Sequence, residues 1–261
     1  MACGENGAGR LPEPKIIVES ILSNINKNQI LSSQFKNISI LITAGPTIEG
    51  IDPIRFVSNK SSGKQGFEIA SELTKRGAKV TLISGPVSIP FPNCENVIKV
   101  NTAQEMLDNV AQQLPADILI CTAAVADWKL IPKTSSNNKI DTNNKIKKTN
   151  EKLLFETVKN PDILATLSQP GNGRPRLVVG FAAETGNVVE KSLAKRVKKG
   201  CDWIIGNDVS PKSGTFGGDT NQVHLVTETE CESWPKMSKQ EVADLLVNRI
   251  AEQIRPLAIT E

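Results

Sequence analysis

At 261 residues, about two-fifths of them apolar and with a formal net charge of +3, the chain has the size of one α/β domain with a small appendage. That near-balance of charge excludes a surface built throughout for nucleic acid, although basic residues gather at 145–152 and 191–199. No apolar run reaches the ~20 residues that span a bilayer, and the polar, Gly-rich N-terminus does not read as a signal peptide. Five cysteines, at 3, 94, 121, 201 and 231, form no C-x-x-C pair. This predicts reduced thiols in a cytoplasmic enzyme rather than a disulfide framework or a zinc site, and no residue is assigned to a metal. The single histidine, His224, alternates with apolar neighbours and reads as a structural strand residue. Tyrosine is absent, so two common proton carriers are out of the reckoning.

In chain order, residues 1–14 read as an extended tail. Ile17, Ile21, Leu22 and Ile25 are close to helical spacing over 15–27, and 28–37 reads as a polar linker. The run 38–44 predicts a buried strand. A helix follows over 63–76, closed by Gly77, then strands at 79–84 and 97–100. The stretch 102–114 predicts a helix capped by Thr102, and 117–122 another buried strand. Residues 129–150, rich in Asn, Lys, Ser and Thr, offer almost no core positions and read as a long lid. Beyond it the pattern predicts a strand at 152–157, a short helix opened by Pro161-Asp162, and an apolar strand at 177–183. A basic helix at 188–199, a strand at 202–206, a glycine-rich loop at 214–220 and a strand at 222–227 come next. The closing helix, 239–254, should turn Val242, Leu245, Leu246, Ile250 and Ile254 inward. Strands alternating with helices define the expected class: α/β, Rossmann-like, a doubly wound and mostly parallel sheet whose ligands sit at the carboxyl ends of its strands.

Two such ends carry chemistry. Thr43-Ala44-Gly45-Pro46-Thr47 leads to Ser58–Gly66, where small residues and a helix N-terminus make an anion cradle. It is neither G-x-G-x-x-G nor a P-loop, since Gly63-Lys64-Gln65 lacks the Ser/Thr that holds magnesium. A tight turn with a capped helix is the plainer alternative. Ala123-Ala124-Val125-Ala126-Asp127 leaves room for a ligand beside a strand end. Asp127 there is suited to an amino group, or is simply a turn aspartate. Lys145-Ile146-Lys147-Lys148 in the lid is suited to closing over phosphates, or is a solvated basic loop. Lys195 and Lys199 lie one turn apart on one helix face, which fits a triphosphate or an ordinary exposed face.

Taken together these stretches resemble the phosphopantothenate–cysteine ligase family of coenzyme A biosynthesis. The likeness also runs through Asp52–Phe56, Lys159–Asp162, Val179–Thr185 and Gly206–Val209, and covers the chain from about residue 37 to its end. Residues 2–14 resemble the end of the flavin-dependent phosphopantothenoylcysteine decarboxylase that precedes the ligase in bacterial bifunctional proteins. The expected division is therefore 1–36, a tail of that domain with a linker helix, and 37–261, the ligase domain. Cys3 matches the decarboxylase proton donor but is given no working role, because the FMN-binding domain is missing.

The resemblance implies that the carboxylate of 4′-phosphopantothenate attacks the α-phosphate of CTP. Pyrophosphate leaves, and the amine of L-cysteine then displaces CMP from the acyl-cytidylate. Lys145 matches the lysine needed to form that intermediate, and Asn59 the asparagine that holds it beside Ala123 and Ala124. The nucleotide residues implied are Gly45, Ser61, Ser62, Gly63, Gly66, Asp127, Pro161, Asp162, Ile163, Leu164, Phe181, Lys195 and Lys199. Mg2+ is expected with the CTP, carried mostly by phosphates and water. A homodimer with the lid region at its interface is also implied, and no partner among nucleic acids or membranes. No residue stands out as a base for the cysteine amine. Three other readings are an ATP-using ligase of the same family, a dinucleotide oxidoreductase, and a phosphate-binding module without activity. Asn59 and Lys145 count against the last, and the missing G-x-G-x-x-G against the second.

Overall fold

The computed structural model describes residues 12–18, 20, 32–136, 138–150, 152–171, 173–210, 212–215 and 217–254. Cys3, most of the residues predicted as a linker helix, and the last seven residues lie outside these; residues 14–18 are helical.

Six strands pair in parallel: β1 (Ser39–Ala44), β4 (Lys79–Ser84), β5 (Asn96–Lys99), β6 (Ile118–Cys121), β9 (Leu177–Glu184) and β10 (Trp203–Asp208). Numbered among themselves along the chain, they lie in the order 3-2-1-4-5-6, the doubly wound dinucleotide-fold order. Two antiparallel strands, β12 (Val223–Val226) and β13 (Cys231–Ser233), extend the far edge. On that edge His224 faces Ser233 and its Nδ1 lies 2.8 Å from the Ser233 hydroxyl, the structural role expected of it.

The central strands are apolar almost throughout because both faces are covered. In β1, Ile40, Ile42 and Ala44 point to one face and Leu41 to the other. On the first face pack α1 (Lys64–Lys75) and α5 (Lys239–Ile254); on the second pack α2 (Ala103–Gln112), α3 (Ile163–Leu167) and α4 (Val188–Lys199). Thr102 caps α2 as predicted, in a reciprocal capping box with Glu105. Gly77, with φ +88°, turns the chain out of α1.

Three expectations are corrected. Residues 129–150 are not wholly a lid: β7 (Trp128–Lys133) pairs antiparallel with β8 (Leu154–Lys159), so the insertion is the tip of a two-stranded ribbon. Leu245 is exposed, while Val242, Ala243, Leu246, Val247, Ile250 and Ala251 form the buried face of α5. Phe35, within the stretch read as a polar linker, is fully buried and its N–H donates to Arg76 O. Short strands β2 (Ile48–Gly50), β3 (Phe56–Ser58), β11 (Thr220–Asn221) and β14 (Met237–Ser238) had no signal strong enough to predict.

Gly66 fixes how closely α1 approaches the sheet. A Cβ there would sit 2.2 Å from Thr122 Oγ1 and 2.8 Å from Ala44 Cβ. Gly66→Ala should therefore lower stability by about 1–3 kcal/mol, measured by urea unfolding; an unchanged midpoint would show that the helix shifts freely.

Candidate functional site

The parallel order reverses direction between β1 and β6, the switch point at which ligands bind in such sheets. In this chain the two strand-exit loops do not splay apart there. Thr43 O accepts from Thr122 N (3.0 Å) and Thr122 Oγ1 (2.6 Å), and Gly45 O accepts from Ala124 N (2.9 Å). Thr47 N donates to Ala124 O (3.3 Å), and Ala126 N donates to Thr47 Oγ1 (2.9 Å). The seam carries the pairing past the strand ends and leaves a wall with a cavity on each side.

The larger cavity, about 520 Å³, is lined by Ala123, Asp127, Pro161, Asp162, Ile163, Leu164, Phe181, Lys195 and Lys199, all expected, and by Thr43, Cys121, Val125, Ala126, Trp128, Lys159 and Asn160. Its size lies within the ~300–1,000 Å³ typical of small-molecule sites. Gly180 lets Leu164 of its lining pack down on β9, because a Cβ there would run into that leucine. Asn160, missed as a site residue although its stretch carried the resemblance, fixes the rim: its Nδ2 donates to Ala126 O (2.8 Å) and its N–H to Asp127 O (2.9 Å). Asp127 itself is exposed at the rim. Burial pushes the Cys121 thiol up to about 12 against a hydrogen bond with Thr43, so it is a neutral wall residue.

The two lysines expected for a triphosphate are present but already paired. Lys195 Nζ lies 2.7 Å from Glu184 Oε1, and Lys199 is bonded to Asp162. Asp162 also caps α3 by accepting from Ala165 N (3.1 Å). Burial works to raise its carboxyl, but the bonds from Lys199 and Ala165 hold it below the usual carboxylate range.

The smaller cavity, about 140 Å³, shares Ala123 and Phe181 with the larger one. Ser61, Ser62, Gly63, Gly66 and Ala124 line it as expected, with Lys64 and Gln65 of the same cradle stretch; Asn207, Asn221 and Lys239 were not foreseen. Gly63, in the left-handed region at φ +75°, is the N-cap of α1 and has no side chain to offer; Ser62 Oγ accepts from Lys64 N at a long 3.5 Å. Gly45 lines neither cavity; it takes φ +73° and packs against Gly63, whose Cβ position is 3.4 Å from Gly45 N. Asn59 reaches the wall itself, donating from Nδ2 to Val125 O (2.8 Å).

Lys145 is exposed and lines neither cavity. Its neighbour Ile146 is tied down. Ile146 N donates to Asp52 Oδ2 (3.2 Å), and Ile146 O accepts from Arg55 Nη1 (3.3 Å), which also pairs with Asp52 (2.8 Å). Asp52 is buried. Its desolvation is outweighed by the N–H groups of Ile54, Arg55 and Ile146 and by the Arg55 guanidinium, so its carboxyl is held low.

Fold and site together define a Rossmann-like α/β protein with a two-chambered, lysine-lined site at the switch point. The family model described as the DNA/pantothenate metabolism flavoprotein C-terminal domain matches residues 35–254, and the chain belongs to that family. It is 41% identical over 250 residues to the coenzyme A biosynthesis bifunctional protein CoaBC of Escherichia coli K12, covering 95% of this chain and 59% of that protein. The CoaBC of Borreliella burgdorferi is 40% identical over 245 residues, covering 93% of this chain and 59% of its own length. The chain thus spans about three-fifths of these relatives. The crystal structure of a CoaBC C-terminal domain superposes with a TM-score of 0.68 at 33% identity, covering 86% of this chain and 99% of that one. A Streptococcus pneumoniae flavoprotein of the same description has the same fold, with a TM-score of 0.69 at 23% identity over 83% of this chain and 99% of its own.

Asp52 latches the insertion, and its depressed carboxyl sets the pH at which the latch fails. The latch should persist above the ordinary carboxylate range near pH 4 and be lost only as the pH falls below it, where Asp52 takes up a proton. Asp52→Asn should loosen the insertion at neutral pH, seen as faster tryptic cleavage at Lys145–Lys148. Equal cleavage rates in both proteins would remove Asp52 from this role.

Proposed function

We propose that the chain is a phosphopantothenate–cysteine ligase acting in coenzyme A biosynthesis with CTP and Mg2+. The observation that carries this reading is the bond from Asn59 Nδ2 to Val125 O (2.8 Å), which fixes Asn59 to the exit loop whose Ala123 lines both cavities. An acyl-nucleotide intermediate needs such a junction, with a nucleotide on one side of the reacting carbon and a pantothenate arm on the other. The larger cavity takes the nucleotide, with Asp127 at its rim to accept from an exocyclic amino group and Phe181 as an apolar wall. Triphosphate oxygens would draw Lys195 and Lys199 from Glu184 and Asp162. This exchange of ion pairs keeps both ammonium groups compensated before and after binding.

The carboxylate of 4′-phosphopantothenate attacks the α-phosphorus and pyrophosphate departs. The amine of L-cysteine then attacks the acyl carbon, CMP leaves and a proton is released. Lys145 supplies positive charge to the first step. From its place beside the tethered Ile146, it must swing inward with the ribbon tip when substrate binds. Among the described residues no group of three or more His, Cys, Asp or Glu side chains could hold a metal ion. Magnesium would therefore ride on phosphate oxygens and water. Ile54 and Phe56 near β3, and Trp128, Leu154 and Phe155 on the ribbon, are exposed apolar side chains, and β2 touches β7. This surface supports a homodimer.

Three measurements test the reading. With 4′-phosphopantothenate and magnesium, pyrophosphate release should require CTP, and the amide should form only when cysteine is added; release with ATP alone would replace the nucleotide, and release with neither would remove the activity. Lys145→Gln should cut pyrophosphate release by at least about 100-fold with an unchanged melting temperature, and wild-type rates would reject its role. Asn59→Asp puts a carboxylate against Val125 O in place of a donor, so it should still release pyrophosphate but accumulate acyl-cytidylate. Loss of the first half-reaction instead would show the role to be wrong.

A further inference from the structure

The smaller cavity holds a lysine that the fold has buried without satisfying it. Lys239, first residue of α5, is 6% exposed. Its backbone is fixed from both sides, with N–H donating to Asp219 O (2.9 Å) and O accepting from Gln65 Nε2 (3.0 Å). Its ammonium can donate three hydrogen bonds, yet among the described residues it makes one, a long 3.4 Å contact with Thr215 O. No carboxylate pairs with it there; Asp219 is 2.5 Å from Lys64 Nζ instead. Next to it Asn221 is 3% exposed, and among the described residues its Nδ2 makes only a 3.4 Å contact with Gln65 Oε1, which leaves a second N–H to donate, while its Oδ1 is an unpaired acceptor.

These groups line the same space as the N-terminus of α1, whose N-cap is a glycine and whose first turn contains no acidic residue. Helix N–H groups, half-exposed Lys64 and buried Lys239, with exposed Lys60 at the edge, meet in about 140 Å³, below the ~300 Å³ at which pockets begin to hold whole small molecules. A phosphate monoester fits this chemistry. Its dianion answers the helix end and both ammonium groups, and its oxygens accept the donors that Lys239 leaves unused. Ala123 and Phe181 line both chambers, so the cavity abuts the nucleotide chamber that the far end of the substrate must reach.

We infer that this cavity, with Lys239 as its buried recognition residue and Lys64 at its mouth, takes the terminal phosphate of the pantothenate substrate and makes the enzyme discriminate against the unphosphorylated compound. The inference rests on the ligase reading above, and it moves Ser61, Ser62, Gly63 and Gly66 from the nucleotide to the acyl substrate. In the ligand-free protein, burial and the neighbouring Lys64 both act to lower the Lys239 pKa, opposed by Asp219. A bound dianion would reverse that pressure.

Calorimetry on the intact chain without nucleotide separates the two levels of the argument. Wild type should bind 4′-phosphopantothenate at least about 100-fold more tightly than pantothenate. Lys239→Met, which keeps the volume and removes the charge, should weaken 4′-phosphopantothenate by about 10- to 100-fold and leave pantothenate unchanged. Lys64→Gln, at a half-exposed position where folding is not at stake, should produce a smaller loss of the same kind. In turnover, both variants should raise KM for 4′-phosphopantothenate and leave KM for the nucleotide alone. Retained discrimination in both variants, with wild type still binding and turning over, would overturn this inference and spare the ligase reading. A rise in nucleotide KM instead would assign the cavity to the triphosphate. Wild type that binds neither compound would overturn both readings.

Discussion

The seam between the exits of β1 and β6 is the constraint on which the rest of the site depends. In an open parallel sheet the two loops at the switch point separate, and one crevice forms between them. Here the Thr43 carbonyl takes two donors from Thr122, and Gly45, Thr47, Ala124 and Ala126 continue the pairing. The crevice is thereby divided, with Ala123 as the partition. Small residues are required there because each side chain would project into one chamber or the other. Gly66 and Gly180 do the same for the flanks by letting a helix and a leucine close down on the sheet.

The charge arrangement follows from this division. Two of the cations in the larger chamber, Lys195 and Lys199, come from the exposed face of α4, where Glu184 and Asp162 can neutralise them at little cost because water screens the pairs. The buried cation of the smaller chamber, Lys239, enters from α5 through the core side, while Lys60 and Lys64 stand at the open side. A buried ammonium without a carboxylate is expensive, and the fold tolerates it beside a helix N-terminus that itself repels cations. Stability alone gives no reason for that combination; a recurring anionic ligand does.

Much of the fold was legible because burial on two faces leaves a plain signature. The run at 38–44 and that at 177–183 could be little else than central strands, and the capping residue Thr102 marked its helix. Of the ribbon only β8 was legible, as the strand expected at 152–157; β7 was not, for the converse reason. β7 and β8 pair mainly with each other and lie largely open, so Trp128, Leu154 and Phe155 sit among polar residues without a periodic pattern. Leu245 was misplaced because at about 100° per residue it falls roughly 60° outside the arc from Val242 to Ala251, although its neighbour Leu246 lies well inside. Phe35 was lost among polar neighbours because a single buried ring has no period.

The site divides along the same line. Residues contiguous with a strand end, such as Asp127 and Pro161–Leu164, were found together because the topology delivers them together. Lys239 lies 175 residues after Lys64 and opens a helix whose visible pattern is an apolar face, so nothing local sets its ammonium apart from any other lysine. Only the antiparallel pairing of β11 with β14 and the bond from Gln65 carry it into the cradle. The residue that best explains the smaller chamber is thus one that only the fold reveals, since its meaning lies in the donors it has not used.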